Sequence, residues 1–237
     1  MSARDLASLP ALLLLAGCSF FVRSTPPPQI YVLDAAAPGP AIPAGGTGTA
    51  TATPMAAPGT RTAPDLRTAQ GLPTLRVLRP LPAPGLDTER IAVLHPDGRL
   101  DYYAGGRWGA PVPEVVADLA LATLRATGAW RAVADPRDVF NTDYVLRLAV
   151  SRFDAEYATD AAAPTVRVVL QCLLLRRRDG QPVASFEAQG QAAAAANRMA
   201  AVVAAFGMAA RSALATVAVR SAQAAQAAQA AQAAQQR

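Results

Sequence analysis

The sequence predicts an α+β fold in a single domain, in which two helices cover one face of a twisted, mainly antiparallel sheet. Two observations support this fold class. Short segments of alternating apolar and polar residues lie on both sides of an amphipathic helical segment, and a second helical segment follows them. The elements run in the order β-β-β-α-β-β-β-α over residues 72–220, which is long enough for one hydrophobic core.

The N-terminal residues have the pattern of a secretory signal. Arg4 precedes an apolar run over residues 6–16, which is too short to cross ~30 Å of hydrocarbon as a stable helix. Leu-Ala-Gly-Cys at residues 15–18 resembles the lipobox of bacterial lipoproteins, whose cysteine is acylated and becomes the first mature residue. We therefore predict a signal peptide at residues 1–17 and a covalent lipid on Cys18. An ordinary signal peptide with a chance cysteine is the alternative.

The residue after the cysteine bears on the destination of the protein. Ser19 is not the aspartate that, by resemblance to lipoprotein sorting signals, retains a lipoprotein at the inner membrane. This favours the periplasmic face of the outer membrane. Two or more acyl chains hold a protein stably at a bilayer, so a multiply acylated Cys18 would anchor everything that follows it.

Residues 18–71 are predicted to form the lipidated start and a tether, with a short strand at residues 29–33. Ala, Pro, Gly and Thr dominate from residue 35 to residue 71. Such a composition cannot bury enough apolar surface to offset the entropy lost on ordering. We therefore expect a disordered coil that gives the domain a local reach of about 33 Å from its anchor.

The first half of the domain contains three strands and a helix. Alternating residues predict a strand around Leu75 and Val77, and a hairpin whose strands span residues 90–94 and 100–103. A helix follows from Pro111 to Gly128, since apolar residues recur at helical spacing and glycine commonly follows a helix end.

The second half repeats this plan. Strands are predicted at residues 144–153, 165–175 and 183–189, with Asp179-Gly180 as the turn of the last hairpin. Asn197 is expected to cap the last helix. The Gln-Ala tail at residues 221–237 is predicted to fray, because a period of three leaves no apolar stripe on a 3.6-residue helix.

Charge and composition exclude several function classes. The formal net charge is +5, and every basic residue is arginine. No nucleic-acid motif accompanies this charge, so no nucleic-acid partner is expected. The residues Arg176-Arg177-Arg178 are interpreted as a solvated hairpin end, with a contact to a lipid headgroup or a partner as the alternative.

No catalytic constellation is visible. His95 is the one histidine and precedes a turn, and Cys172 lies in an apolar strand where a thiol behaves as a small hydrophobe. Asp154 and Glu156 share a strand face, and we expect them to face solvent at the strand end. We therefore predict that the chain is no enzyme, binds no metal and carries no cofactor apart from the lipid on Cys18.

Several runs together identify a family. They are Leu86-Asp87-Thr88, residues 99–104, Arg107-Trp108, Ala110-Pro111, residues 143–146, residues 153–157 and Pro164. The chain resembles the ABC-type transport auxiliary lipoproteins, the paraquat-inducible-type lipoprotein component of intermembrane lipid transport. This resemblance implies an outer-membrane lipoprotein that works beside an ABC permease, its ATPase and a mammalian-cell-entry (MCE) domain protein.

The resemblance makes a non-catalytic adaptor of phospholipid or solvent transport the leading hypothesis. A structural envelope lipoprotein that assists secretion or cell-wall assembly is the alternative, and a lipid carrier with its own cavity ranks third. Trp108, Tyr102 and Tyr103 are expected on a loop between hairpin and helix, where aromatic residues often anchor partners. The alternative is that Trp108 fills the core at the end of the helix. A homo-oligomer is left open.

Overall fold

The computed structural model describes residues 27–34, 72–159 and 162–235. Within these ranges, nine strands form one sheet that packs against two helices, and the predicted α+β class is confirmed. The strands are β1 (Gln29–Tyr31), β2 (Leu75–Val77), β3 (Leu81–Pro82), β4 (Arg90–Leu94), β5 (Leu100–Trp108), β6 (Val133–Ala134), β7 (Tyr144–Glu156), β8 (Thr165–Arg176) and β9 (Pro182–Ala193). The helices are α1 (Val112–Ala126) and α2 (Met199–Gln235).

The central strand of the sheet is β7. Along one side it pairs antiparallel with β8, which in turn pairs with β9. Along its other side it pairs in succession with β2, β3 and β4, all parallel. The sheet then continues from β4 to β5 and β1, and from β2 to β6. The sheet is mainly antiparallel because its long strands β7, β8 and β9 pair in this way. The short strands β1, β2, β3 and β6 pair in parallel.

The hydrophobic core lies between the sheet and the two helices. Alternate residues of β7 and β8 point into it, and each of them is at most 2 % exposed: Leu146, Leu148, Val150, Leu170, Cys172 and Leu174. This alternation is the pattern of a sheet with one buried face. Burial raises the pKa of the Cys172 thiol to about 12, so this cysteine stays protonated at neutral pH.

The last helix extends through the Gln-Ala tail. At 1.5 Å per residue, α2 is roughly 55 Å long. Ser221 and Ala225 are fully buried, and Ala228 and Gln232 are partly buried, at spacings of four, three and four residues. The prediction that the tail has no stripe for packing is therefore wrong. Alanine fills two positions in every three, so a helical stripe can avoid glutamine until residue 232.

The length and composition of α2 would also suit a membrane span. Its most apolar window has a mean hydropathy of 1.8, and 56 % of that window is buried inside the fold. Val202, Phe206 and Val217 are each 0 % exposed. The apolar character of α2 is thus used to pack against the sheet and α1.

The first strand belongs to the domain itself. β1 pairs parallel with β5, and the Gly109 N–H donates to the Tyr31 carbonyl oxygen at 2.9 Å. Residues 35–71 therefore connect two strands of one sheet. Their predicted disorder lies outside the described residues, but the prediction that they extend the reach of the domain from its anchor is wrong, because both of their ends belong to the domain.

The position of Trp108 differs from the loop expected from the sequence. Trp108 is the last residue of β5 and is 0 % exposed. Its ring makes edge-on contacts with Phe206 at 5.0 Å and with Phe153 at 5.8 Å between centroids. The alternative interpretation, in which Trp108 fills the core, describes what is found, and its side chain has no surface to offer a partner.

Trp108→Ala should unfold the domain more easily. We expect the free energy of unfolding to fall by about 3–5 kcal/mol, because a large buried ring is lost and a cavity remains. Denaturation in urea measures this change. Leu81→Ala is the control, since Leu81 is 67 % exposed and its truncation should stay within about 0.5 kcal/mol. An unchanged stability of Trp108→Ala would contradict its role in the core.

Gly190→Ala should also destabilise the domain. A Cβ atom at Gly190 would overlap the Ala209 carbonyl of α2 and lie 2.9 Å from the Ala213 nitrogen. Since both are backbone atoms that cannot easily move, we expect the free energy of unfolding to fall by about 3 kcal/mol or more, at the upper end of overpacking effects. Gly105→Ala, where nothing lies within 4 Å, is the matched control and should be neutral. Equal thermal unfolding of the two variants would contradict this close approach.

Candidate functional site

An open groove lies between the β4–β5 hairpin and the end of β7. It has a volume of about 420 Å³ and is lined by Val93, His95, Asp101, Tyr102, Tyr103, Ala104 and Tyr157. Val93 and Tyr103 belong to adjacent strands of the hairpin, and Tyr157 directly follows β7, where its N–H donates to the Leu94 carbonyl oxygen at 3.0 Å. Pairing of β4 with both β5 and β7 therefore positions the walls of the groove.

A chain of hydrogen bonds fixes the two tyrosines that wall the groove. The Tyr157 hydroxyl donates to Asn197 Oδ1 at 2.7 Å, and the Tyr103 and Tyr157 hydroxyls are 2.9 Å apart. Because Tyr157 gives its proton to Asn197, its oxygen accepts from Tyr103. Burial and this hydrogen bond raise the pKa of Tyr103 well above its usual range. Tyr103 is thus neutral at neutral pH, and Asn197, just before α2, completes this chain of hydrogen bonds.

His95 and Asp101 stand at the polar end of the groove. His95 Nε2 and Asp101 Oδ2 are 3.9 Å apart, which is longer than a hydrogen bond. Arg99 NH1 also lies 3.6 Å from that carboxylate oxygen. The expected turn at His95 is present, since its N–H donates to the Arg99 carbonyl oxygen at 3.0 Å. The groove therefore combines an aromatic wall with a charged end.

The three aromatic residues predicted from the sequence do not form one surface. Tyr102 and Tyr103 both border the groove, whereas Trp108 does not. The Tyr102 hydroxyl donates to the Gly85 carbonyl oxygen at 2.8 Å, and the Arg90 guanidinium lies 4.0 Å above its ring. All three residues lie in β5, not on a loop. Tyr103 faces the groove and Trp108 faces the core.

The sequence predicts no place in a site for Tyr157 or for Asn197. Tyr157 and Asn197 are 40 positions apart, and Tyr103 and Tyr157 are 54 apart. Their contacts depend on the parallel pairing of β4 with β7, which a sequence pattern does not specify. The hydrogen-bonded chain therefore becomes visible only in the structure.

The paired carboxylates on β7 are held by arginines. Asp154 is 5 % exposed and makes a bidentate pair with Arg152, at 2.6 and 3.1 Å. The expectation that Asp154 faces solvent is thus wrong. Burial opposes ionisation of Glu156, but Arg152 and Arg167 lower its pKa below the usual range. A general acid needs a raised pKa, so Glu156 is unsuited to that role in glycosidase chemistry.

The side chains that line the groove restrict the chemistry that it could support. Within the described ranges, no group of three or more His, Cys, Asp or Glu side chains is placed to hold a metal ion. The groove lining includes no serine, threonine or cysteine that His95 could activate. Cys18, the predicted lipid site, lies outside the described residues. The groove presents an aromatic wall in which Tyr103 and Tyr157 are ordered by hydrogen bonds.

Comparisons with known proteins agree with this fold. The family model of the ABC-type transport auxiliary lipoprotein component matches residues 55–218, which include all groove residues. The crystal structure of protein XCC0632 from Xanthomonas campestris is similar at 27 % identity and a TM-score of 0.61, covering 66 % of this chain and 88 % of that one. An uncharacterised protein of known structure shares the fold at 16 % identity and a TM-score of 0.53, covering 62 % and 90 %. No curated protein sequence matches this chain significantly.

The ionisation of Tyr103 should make the free energy of unfolding depend on pH in the alkaline range. The folded pKa of Tyr103 is raised above its unfolded value near 10, so its contribution is complete below pH 10 and is lost as pH rises above it. We expect the stability advantage of the wild type over Tyr103→Phe to shrink by at most ~1.4 kcal/mol per pH unit there. Urea unfolding of both proteins at several pH values tests this, and parallel curves would contradict it.

Proposed function

Because this chain belongs to the family of ABC-type transport auxiliary lipoprotein components, we propose that it is a non-catalytic adaptor of an ABC transport system that moves lipid between membranes. In this proposal, Cys18 carries a lipid that anchors the protein to the periplasmic face of the outer membrane. The domain docks on an MCE-domain protein that works with an ABC permease and its ATPase. The observation that carries the proposal is the family match, which spans β2 to the middle of α2.

The groove supports an adaptor in two ways. Its aromatic wall is already ordered by the bonds from Tyr103 to Tyr157 and on to Asn197, so docking would cost little additional side-chain entropy. Its lining also contains no serine, threonine or cysteine that His95 could activate as a nucleophile. We therefore place the partner contact at the groove, with Tyr103 as the predicted aromatic residue that takes part in it. Tyr102, which also borders the groove, stays a predicted contact.

Capture of partners from intact envelopes tests the proposal. The full-length lipoprotein is crosslinked in cells, purified, and its partners are identified by mass spectrometry. We expect an MCE-domain protein and ABC subunits with the wild type. Ala104→Arg should reduce their recovery about tenfold, since a long charged side chain in the groove need only weaken docking by ~1.4 kcal/mol. Ala104 is exposed, so this variant leaves the core intact.

Two controls make the result specific. Ala193→Arg adds the same side chain at an exposed position of β9, outside the groove, and should retain the partners. Cys18→Ala should lose the membrane anchor. Recovery of secretion or cell-wall components in place of transporter subunits would contradict the proposal and favour a structural envelope lipoprotein. Equal recovery with both arginine variants would contradict the groove as the contact.

A further inference from the structure

A second pocket lies at the end of the sheet where the β8–β9 hairpin turns. It has a volume of about 210 Å³ and is lined by Pro73, Thr142, Asp143, Tyr144, Arg176, Arg177, Arg178, Gln229 and Gln232. These residues come from the segments that lead into β2 and β7, from the first residue of β7, from the hairpin and from the Gln-Ala part of α2. The pocket is smaller than the ~300–1,000 Å³ that encloses a drug-sized ligand, so it suits a single small group.

Three arginines give the pocket its charge. Arg177 Nε donates to the Thr142 carbonyl oxygen at 2.5 Å, which holds this side chain across the pocket. Arg176 Nε lies 3.0 Å from Asp179 Oδ2, and Arg178 Nε lies 3.6 Å from the same oxygen. One carboxylate thus lies between two guanidinium groups. The hairpin end therefore keeps an excess of positive charge.

The acidic residue in the lining is already engaged. Asp143 Oδ2 accepts from the Thr74 N–H at 2.9 Å and from the Thr74 hydroxyl at 2.7 Å. Arg131 NH2 lies 3.4 Å from that oxygen as well. The Asp143 carboxylate is therefore turned toward a separate set of donors. Outside the lining, burial opposes ionisation of Asp179, but hydrogen bonds from the Gln181 N–H and Arg176 lower its pKa.

Two buried polar groups in the lining have no partner among the described residues. Thr142 is 3 % exposed, and its Oγ1 makes no hydrogen bond. The Gln232 Nε2 atom is buried and equally unpartnered. Folded proteins rarely leave a buried polar group without a hydrogen-bond partner, so these two groups indicate that a ligand could supply one. Both groups can donate a proton, and both border the cluster of arginines.

We propose that this pocket binds an oxyanion of the phosphate class, either free phosphate or the phosphate of a lipid headgroup. Guanidinium groups are well suited to phosphate because they are planar, permanently charged and donate in pairs. The Thr142 hydroxyl and the Gln232 amide add neutral donors from two other elements. Donors that come from three elements match an anion with several oxygens. The inference goes beyond the adaptor role and does not depend on it.

Binding to the full-length lipoprotein in detergent tests the site. Titration calorimetry is run with two probes, inorganic phosphate and a short-chain phosphatidic acid. Thr142→Val removes the hydroxyl with little change of volume, and we expect about tenfold weaker binding, as for the loss of one hydrogen bond to a charged group. Because Thr142 Oγ1 has no partner in the free protein, this variant should not lower the melting temperature.

Matched variants separate the site from general effects. Arg177→Gln should weaken binding at least as much as Thr142→Val, whereas Arg137→Gln removes the same charge from an 88 % exposed side chain and should bind normally. Gln232→Ala should weaken binding, while Gln226→Ala, at an exposed position of the same repeat, should not. Circular dichroism shows whether each helix variant stays folded.

The two probes identify the source of the anion. Equal dependence of both probes on Thr142 and Arg177 supports recognition of the phosphate group itself. Binding of phosphatidic acid alone, with the same dependence, supports a lipid headgroup. The proposal is overturned if neither probe binds, or if binding is insensitive to Thr142→Val. It is also overturned if Arg137→Gln weakens binding as much as Arg177→Gln does. Partner capture can succeed in each case, so the adaptor role is judged separately.

Discussion

The close approach of α2 to β9 is the constraint on which the rest of the structure depends. Gly190 leaves no atom between the strand and the Ala209 carbonyl of the helix. The buried face of α2 is built mostly of alanine, so helix and sheet can pack at short range along several turns. Phe206 is the largest side chain on this face, and it packs against Trp108 and Phe153. The small residues thus set the distance between α2 and the sheet. The aromatic cluster of Trp108, Phe153 and Phe206 fixes which part of α2 contacts the core.

The same constraint carries the helix to the far end of the sheet. A straight helix that is held against β8 and β9 must continue along them, and α2 does so as far as the turn of their hairpin. Its final residues therefore meet Arg176 and Pro182 beside the second pocket. Although the Gln-Ala repeat contains only two residue types, this packing places Gln232 at the second pocket. The position of the Gln-Ala tail is therefore determined by the packing of the earlier turns of α2 on the sheet.

The sequence predicted those elements whose residues repeat over many positions. The long strands and both helices have such a pattern, and the buried alternation around Cys172 was expected and found. The strands β3 and β6 contain two residues each, too few for any period to show. The sequence offers the burial of Trp108 as one of two alternatives but does not predict its place in a strand, because the pairing of β4 with β5 resumes beyond a bulge, at Arg107. The groove was missed because its tyrosines meet only through pairing between distant strands.

The docking of β1 limits how far the domain can lie from its predicted anchor. Gln29 follows Cys18 by eleven residues, and a fully extended chain covers at most 3.3–3.6 Å per residue, so the two are no more than about 40 Å apart. Pairing of β1 with residues 106–108 places this short connection next to the strand that supplies Tyr103. If Cys18 carries lipid, the groove is therefore held near the bilayer, and a partner that enters it would meet the domain close to the membrane surface.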